Sequence, residues 1–144
     1  MKRASHRAFS LVEVTLALGI AAFCLIAVFG LMPVGVQTNR NATSQTAATN
    51  IMAAAVADLR ATPTTTNISP QFVITFGTNK TLFFDGTGQF ATFLGANSRY
   101  QLNITWNAAP SGLRYADFKV TWPAAANTAN ASGSVETFAA FDRN

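Results

Sequence analysis

The spacing of hydrophobic and polar positions changes twice along this chain, and each change marks a different element. From Val14 to Val36 there is no charge, and Leu, Ala, Ile, Val and Phe dominate. Those 23 residues meet the length of about 20 that a helix needs to cross a bilayer core. Within them Gly30-Leu31-Met32-Pro33-Val34-Gly35 predicts a kink or local melting at Pro33, because proline lacks a backbone donor and crowds the preceding turn. From Gln37 to Arg60 polar residues return, while Ala48, Ile51, Met52, Ala55 and Leu59 recur at steps of three and four. One apolar stripe of that spacing predicts a continuation of the same helix, its stripe buried against a sheet. Ala61-Thr62-Pro63-Thr64-Thr65-Thr66 then stops it.

Beyond the stop the period becomes strand-like. Phe72–Phe76 and Thr81–Phe84 are β-prone runs joined by Gly77-Thr78-Asn79-Lys80, a predicted hairpin. Asp85-Gly86-Thr87-Gly88 reads as a second turn leading into Gln89–Leu94. Tyr100–Trp106 and Tyr115–Trp122 alternate apolar with polar residues, as antiparallel strands with one buried and one wet face do. Ala124–Gly133 is small and polar, a surface loop, and Ser134–Phe141 makes a last strand. The expected fold class is α+β, one long N-terminal helix laid on an antiparallel sheet over residues 61–144.

Charge narrows the function. The formal net charge is +4, but Lys2, Arg3 and Arg7 fall in the first eight residues, leaving seven bases against six acids. The remaining bases are scattered singly, without the basic stripe that phosphate binding requires, so nucleic acid is not an expected partner. Cys24 is the only cysteine, which excludes an intramolecular disulfide, and it is expected to behave as a buried thiol among Phe23, Leu25 and Ile26. His6 is the only histidine. Past the apolar run the acids are Asp58, Asp85, Asp117, Glu136 and Asp142, widely spaced, with no phosphate-binding glycine motif. No cluster of nucleophile, base or ligand is visible, and no enzyme activity is expected.

The first thirteen residues are the most informative. Met1–Ala8 is short, basic and free of acids, and Arg7-Ala8-Phe9-Ser10-Leu11-Val12-Glu13 follows it into the apolar helix. Basic residues on this flank predict a cytoplasmic N-terminus and a C-terminal domain across the membrane, in the periplasm. A carboxylate in such a segment costs about 2.5–3.5 kcal/mol on insertion scales unless it finds a partner. An ordinary signal peptide would need a small-x-small cleavage site after the apolar run, and Leu31–Thr38 offers none. An uncleaved membrane-anchored periplasmic binding module fits the hydropathy equally well but leaves Glu13 unexplained.

These residues resemble the class III signal of type IV pilins and of the related pseudopilins of type II secretion. Phe9–Leu59 in particular is similar to the prepilin-like Verru_Chthon cassette protein B group. The resemblance implies a basic leader at 1–8, cut by a prepilin peptidase between Ala8 and Phe9, with methylation of the new N-terminus at Phe9. The family usually has glycine where this chain has Ala8. The resemblance further implies a bacterial inner-membrane subunit whose helix comprises a transmembrane half, residues 9–36, and an amphipathic half, residues 37–60. Such subunits assemble with other pilin or pseudopilin copies, through an inner-membrane platform, into a pseudopilus or type IV pilus-like filament. There the freed amine of Phe9 on one subunit would neutralise Glu13 on its neighbour, and the helix would unwind around Pro33. Glu13 capping its own helix through the dipole is the competing reading. No resident cofactor is expected; calcium, which some major pseudopilins bind, could draw only on Asp85 and Asp142, against the simpler reading of Asp85–Gly88 as a turn.

Overall fold

The computed structural model describes residues 10–107 and 113–142. Among them are one helix, α1 (Leu11–Ala61), and five strands: β1 (Lys80–Asp85), β2 (Phe90–Ala91), β3 (Ser98–Asn107), β4 (Leu113–Trp122) and β5 (Gly133–Asp142). The chain divides into two compact units, one ending at Arg40 and the other beginning at Asn41.

In the first unit α1 is predominantly apolar up to Val36, and nothing among the described residues covers it. Leu11 to Val36 are all exposed, and the most apolar 18-residue window has a mean hydropathy of 2.6. This is a helix long and apolar enough to cross a membrane. The hydroxyls of Thr15 and Thr38 donate to the carbonyls of Val12 and Val34, both at 2.9 Å, so these polar groups are satisfied within the helix. Two expectations change here. The segment Gly30–Gly35 is helical, so the predicted melting at Pro33 is not present. Its proline denies the Phe29 carbonyl only one bond, which the helical turns on either side tolerate. Cys24, expected to be buried, is exposed, because its sequence neighbours point to other faces of the helix and no other element packs on this stretch.

In the second unit α1 becomes one-sided. Ala48, Ile51, Met52, Ala55 and Leu59 are all buried, as their spacing predicts. They join Leu82 and Phe84 of β1, Tyr100, Leu102 and Ile104 of β3, and Phe118 and Val120 of β4 in one core. The helix ends where Thr62 turns back, its N–H donating to the Leu59 carbonyl and its hydroxyl to that of Asp58, just before Pro63.

All strand pairs are antiparallel, in the order β2-β1-β3-β4-β5. The alternating pattern of β3 and β4 puts Leu102 opposite Val120 and Ile104 opposite Phe118 on the covered face. At the end of that face Trp122 lies over Gly133, and a Cβ at Gly133 would collide with the indole ring. The sheet departs from expectation at its start. Phe72–Phe76 is not a strand and forms no hairpin with β1. Ile68 bridges Thr75, the Ser69 N–H donates to the Ile74 carbonyl, and the Phe76 N–H donates to the Asn67 carbonyl. Val73 takes a φ of 53°, a strained conformation for a β-branched residue, which turns the chain out of strand geometry. β3 pairs along one side of β1, and β2 takes the Phe83–Phe84 end of the other. The apolar alternation was nonetheless informative about burial, since Phe72, Ile74 and Phe76 all enter the core. The run Gln89–Leu94 yields a strand of only two residues.

Leu59→Ala should lower stability by about 2–5 kcal/mol, since it leaves a cavity between helix and sheet. Thermal or urea unfolding of the purified protein measures this, and an unchanged midpoint would show that the stripe does not support the fold.

Candidate functional site

Glu13 occupies the third position of α1, where the unpaired amides of the first turn favour an acid. The Ser10 carbonyl begins the helix by accepting from the Val14 N–H at 3.2 Å. Glu13 lies beside Val14, Ala17, Leu18 and Ala21, along a shallow apolar flank. Among the described residues it has no ionic partner; the sole ion pair among them joins Lys119 to Glu136 at 3.3 Å. Ala8 and Phe9, the expected cleavage and methylation positions, lie outside the described residues, as does the rest of the leader. This arrangement can present one carboxylate on an apolar helix surface to another molecule. No group of three potential metal ligands occurs among the described residues.

The sheet unit separates Asp85 from Asp142, the two acids that a calcium site would need together. Asp85 pairs with Ser98 at the start of β3, and Asp142 pairs with Leu113 at the start of β4. Because β3 and β4 are antiparallel in a register that sets Gln101 opposite Thr121, those two rows fall at opposite ends of the sheet. The separation is on the order of 30 Å along the strands, so the two calcium candidates cannot share an ion. Asp85 instead builds the turn. Its Oδ1 accepts from the Thr87 hydroxyl at 2.7 Å, the Thr87 N–H at 2.8 Å and the Gln89 N–H at 2.9 Å. The Thr87 hydroxyl and then the Gln89 N–H, outweighing desolvation, hold its carboxyl below the usual range. Asp117 and Glu136 stand on the uncovered face, where Asp117 accepts from the Asn107 side-chain amide at 3.1 Å. Glu136 lies directly across from Lys119, an exposed pairing of little energetic weight.

Two polar contacts that the linear pattern did not flag hold the helix to the rest of its unit. Asp58 is only 6% exposed, and its carboxylate accepts from the Gln71 N–H at 3.1 Å and the Phe72 N–H at 3.0 Å. It thereby anchors the irregular segment that carries Phe72, Ile74 and Phe76. Ser44, also buried, accepts from the Arg99 guanidinium at 3.2 Å, linking α1 to β3. An acid in the apolar register of the helix, one position before Leu59, was the available signal for the first. The second pairs residues 55 positions apart and left no local trace.

No family model, no curated protein and no solved structure matches this chain.

Asp58→Ala should destabilise the protein by about 1–3 kcal/mol, because a buried backbone amide at Phe72 and a partly buried one at Gln71 lose their acceptor. Asp58→Asn, which retains one acceptor oxygen, should cost less. Unfolding midpoints of the two variants compare them directly. A depressed carboxyl contributes stability above its unfolded pKa and loses it as pH falls through the folded value. Acid titration should therefore weaken the β1–β2 turn only below the ordinary carboxylate range. Asp85→Asn should flatten that part of the stability profile, and an unchanged acid limb would remove Asp85 from it.

Proposed function

We propose that the chain is a prepilin-like structural subunit. Prepilin peptidase cuts it between Ala8 and Phe9, Phe9 is methylated, and copies assemble into a pseudopilus or type IV pilus-like filament. The observation that carries this reading is Glu13, a lone carboxylate near the head of α1, whose apolar run to Val36 is exposed throughout. In a membrane or a helix bundle that acid needs a positive partner, and the α-amino group freed at Phe9 is the nearest in sequence that a neighbouring subunit can supply. The pairing gives assembly a register, which hydrophobic contact alone lacks.

On this reading the role is mechanical. The apolar part of α1 anchors the subunit in the bacterial inner membrane, its N-terminus cytoplasmic and its sheet unit periplasmic, following the basic residues at 2, 3 and 7. On assembly the apolar helices bundle into the filament core and the sheet units form its surface. The assembly platform and further pilin-like subunits are the partners.

Intact-mass and N-terminal peptide analysis of the protein from its native membranes should find a species beginning at N-methylated Phe9. An intact Met1 or a start at Lys2 would overturn the processing and leave a simple anchored protein. Glu13→Ala should remain in the membrane while its recovery in sheared filaments falls on the order of a hundredfold, since an uncompensated buried charge costs about 3–5 kcal/mol.

A further inference from the structure

The end of the second unit at which the chain enters it is built largely from uncharged loops. α1 comes into this unit at Asn41, and in the same turn the buried Ser44 hydroxyl accepts from the Arg99 guanidinium at 3.2 Å. That bond ties the start of β3 to the entering helix. Arg99 also lies over the Tyr100 ring, 5.8 Å from its centroid, and runs beside Gly86 of the β1–β2 turn. Two loops meet this row of residues. Ala91–Asn97 runs into Ser98, and the stretch 123–132 is fixed to the row by the Ala124 N–H, which donates to the Arg99 carbonyl at 2.9 Å. Neither loop contains a charged residue. The acid in the row, Asp85, has its Oδ1 committed to Thr87 and Gln89 of its own turn.

The first of these loops offers water its apolar side chains. Phe93 is 82% exposed, the most exposed large hydrophobic residue in the second unit among those described, and the adjacent Leu94 is 52% exposed. The base of the loop is closed by the Ser98 N–H donating to the Gly95 carbonyl at 3.1 Å and the Gly95 N–H donating to the Ser98 hydroxyl at 2.9 Å. Phe93 is two residues from Gly95, so it stays within about 7 Å of that closure. A phenylalanine and a leucine side by side on an uncharged, closed loop have the composition that dips into a lipid interface.

We propose that the Phe93–Leu94 loop seats in the surface of the same lipid bilayer that α1 crosses, on the side where the sheet unit lies. This rests on the reading of the apolar run as a membrane anchor, and not on leader cleavage, Glu13 or filament assembly. Connectivity brings the bilayer within reach. Ser44 lies eight residues past Val36, about 12 Å of helix, and Arg99 is bonded to it. Apolar side chains presented at such a boundary settle about 5–10 Å into the headgroup and acyl-chain edge. The Arg99 guanidinium, which Ser44 engages through one nitrogen, keeps donors for a lipid phosphate. The loop itself carries no charge, so nothing ionised is desolvated as it enters. A single spanning helix leaves the sheet unit free to tilt, and a second contact with the bilayer restricts it.

The test uses the full-length protein in phosphatidylcholine vesicles, with an environment-sensitive fluorophore on one cysteine at a time. The exposed native Cys24 carries it first and reports whether α1 is in the bilayer. In a Cys24→Ser background the probe then goes to Leu94→Cys, and to Asp142→Cys at the opposite end of the sheet as the reference. Lipid spin-labelled at the headgroup end of its acyl chain quenches a probe in the bilayer, and iodide quenches one in water. The ratio of lipid to iodide quenching at position 94 should exceed that at 142 about tenfold, and Phe93→Ser should remove most of the excess, given the burial a phenylalanine contributes. Phe93→Trp should retain it. Thermal melts of each variant establish that it folds. A probe at 94 as open to iodide as that at 142 would overturn the proposal, as would an excess indifferent to Phe93→Ser. Shielding from iodide without lipid quenching, the sign of a protein covering the loop, would overturn it too. Lipid quenching at Cys24 with none at 94 removes the loop contact alone, whereas none at Cys24 removes the anchor reading and the loop contact with it.

Discussion

One face of the sheet must be covered, and the C-terminal turns of α1 cover it. Leu102, Ile104, Phe118 and Val120 are almost wholly buried, on a face that would otherwise expose a continuous apolar surface to water. The stripe from Ala48 to Leu59 has the three- and four-residue spacing that keeps it on one side for three turns, so one straight helix suffices. Small residues at Ala48 and Ala55 let the backbone approach the sheet, while Ile51, Met52 and Leu59 supply the buried volume. The alternating strands keep polar residues such as Asp117 and Lys119 on the other face. The packing of helix on sheet thus decides which side of each strand is wet.

That contact leaves an end to be closed, and Asp58 closes it. The helix stops at Ala61, but the segment to Thr78 must still contribute Phe72, Ile74 and Phe76 to the core without a strand neighbour to pair with. A backbone in that position would bury unpaired amides. Asp58 accepts from two of them, and Ser69 accepts from the Ile74 N–H at 3.0 Å through its hydroxyl. Buried polar side chains here substitute for the ladder that a hairpin would have supplied. The same segment then provides Phe72 and Gln71 to the cavity beside the β1–β2 turn, so the irregularity shapes the surface as well as the core.

The first part of α1 obeys a different constraint. An apolar helix with no sheet to cover it requires lipid or other apolar helices, and Glu13 within it requires a positive charge. Assembly from the membrane into a helix bundle would satisfy both requirements.

Much of this was legible in the chain itself, where the period of the pattern reports directly on which faces meet an apolar neighbour. The apolar run, the stripe from Ala48 to Leu59, the strands around Tyr100–Trp106, Tyr115–Trp122 and Ser134–Phe141, and the turn at Asp85 all follow from local spacing and turn chemistry. Glu13 also stood out, because a lone acid in an apolar run is costly anywhere. Only the tertiary structure decided the rest. Phe72–Phe76 has the alternation of a strand, yet Val73 takes a positive φ and the segment pairs only through the Ile68–Thr75 bridge and its flanking bonds. Pro33 was expected to interrupt a helix that continues through it, since the loss of one carbonyl bond is small beside the turns that flank it. Asp85 and Asp142 could be weighed as one site until the register set them at opposite ends of the sheet. The cavity beneath Asn50, Gln71 and Gln89 draws on three separate elements, and no local pattern encodes a space that exists only between them.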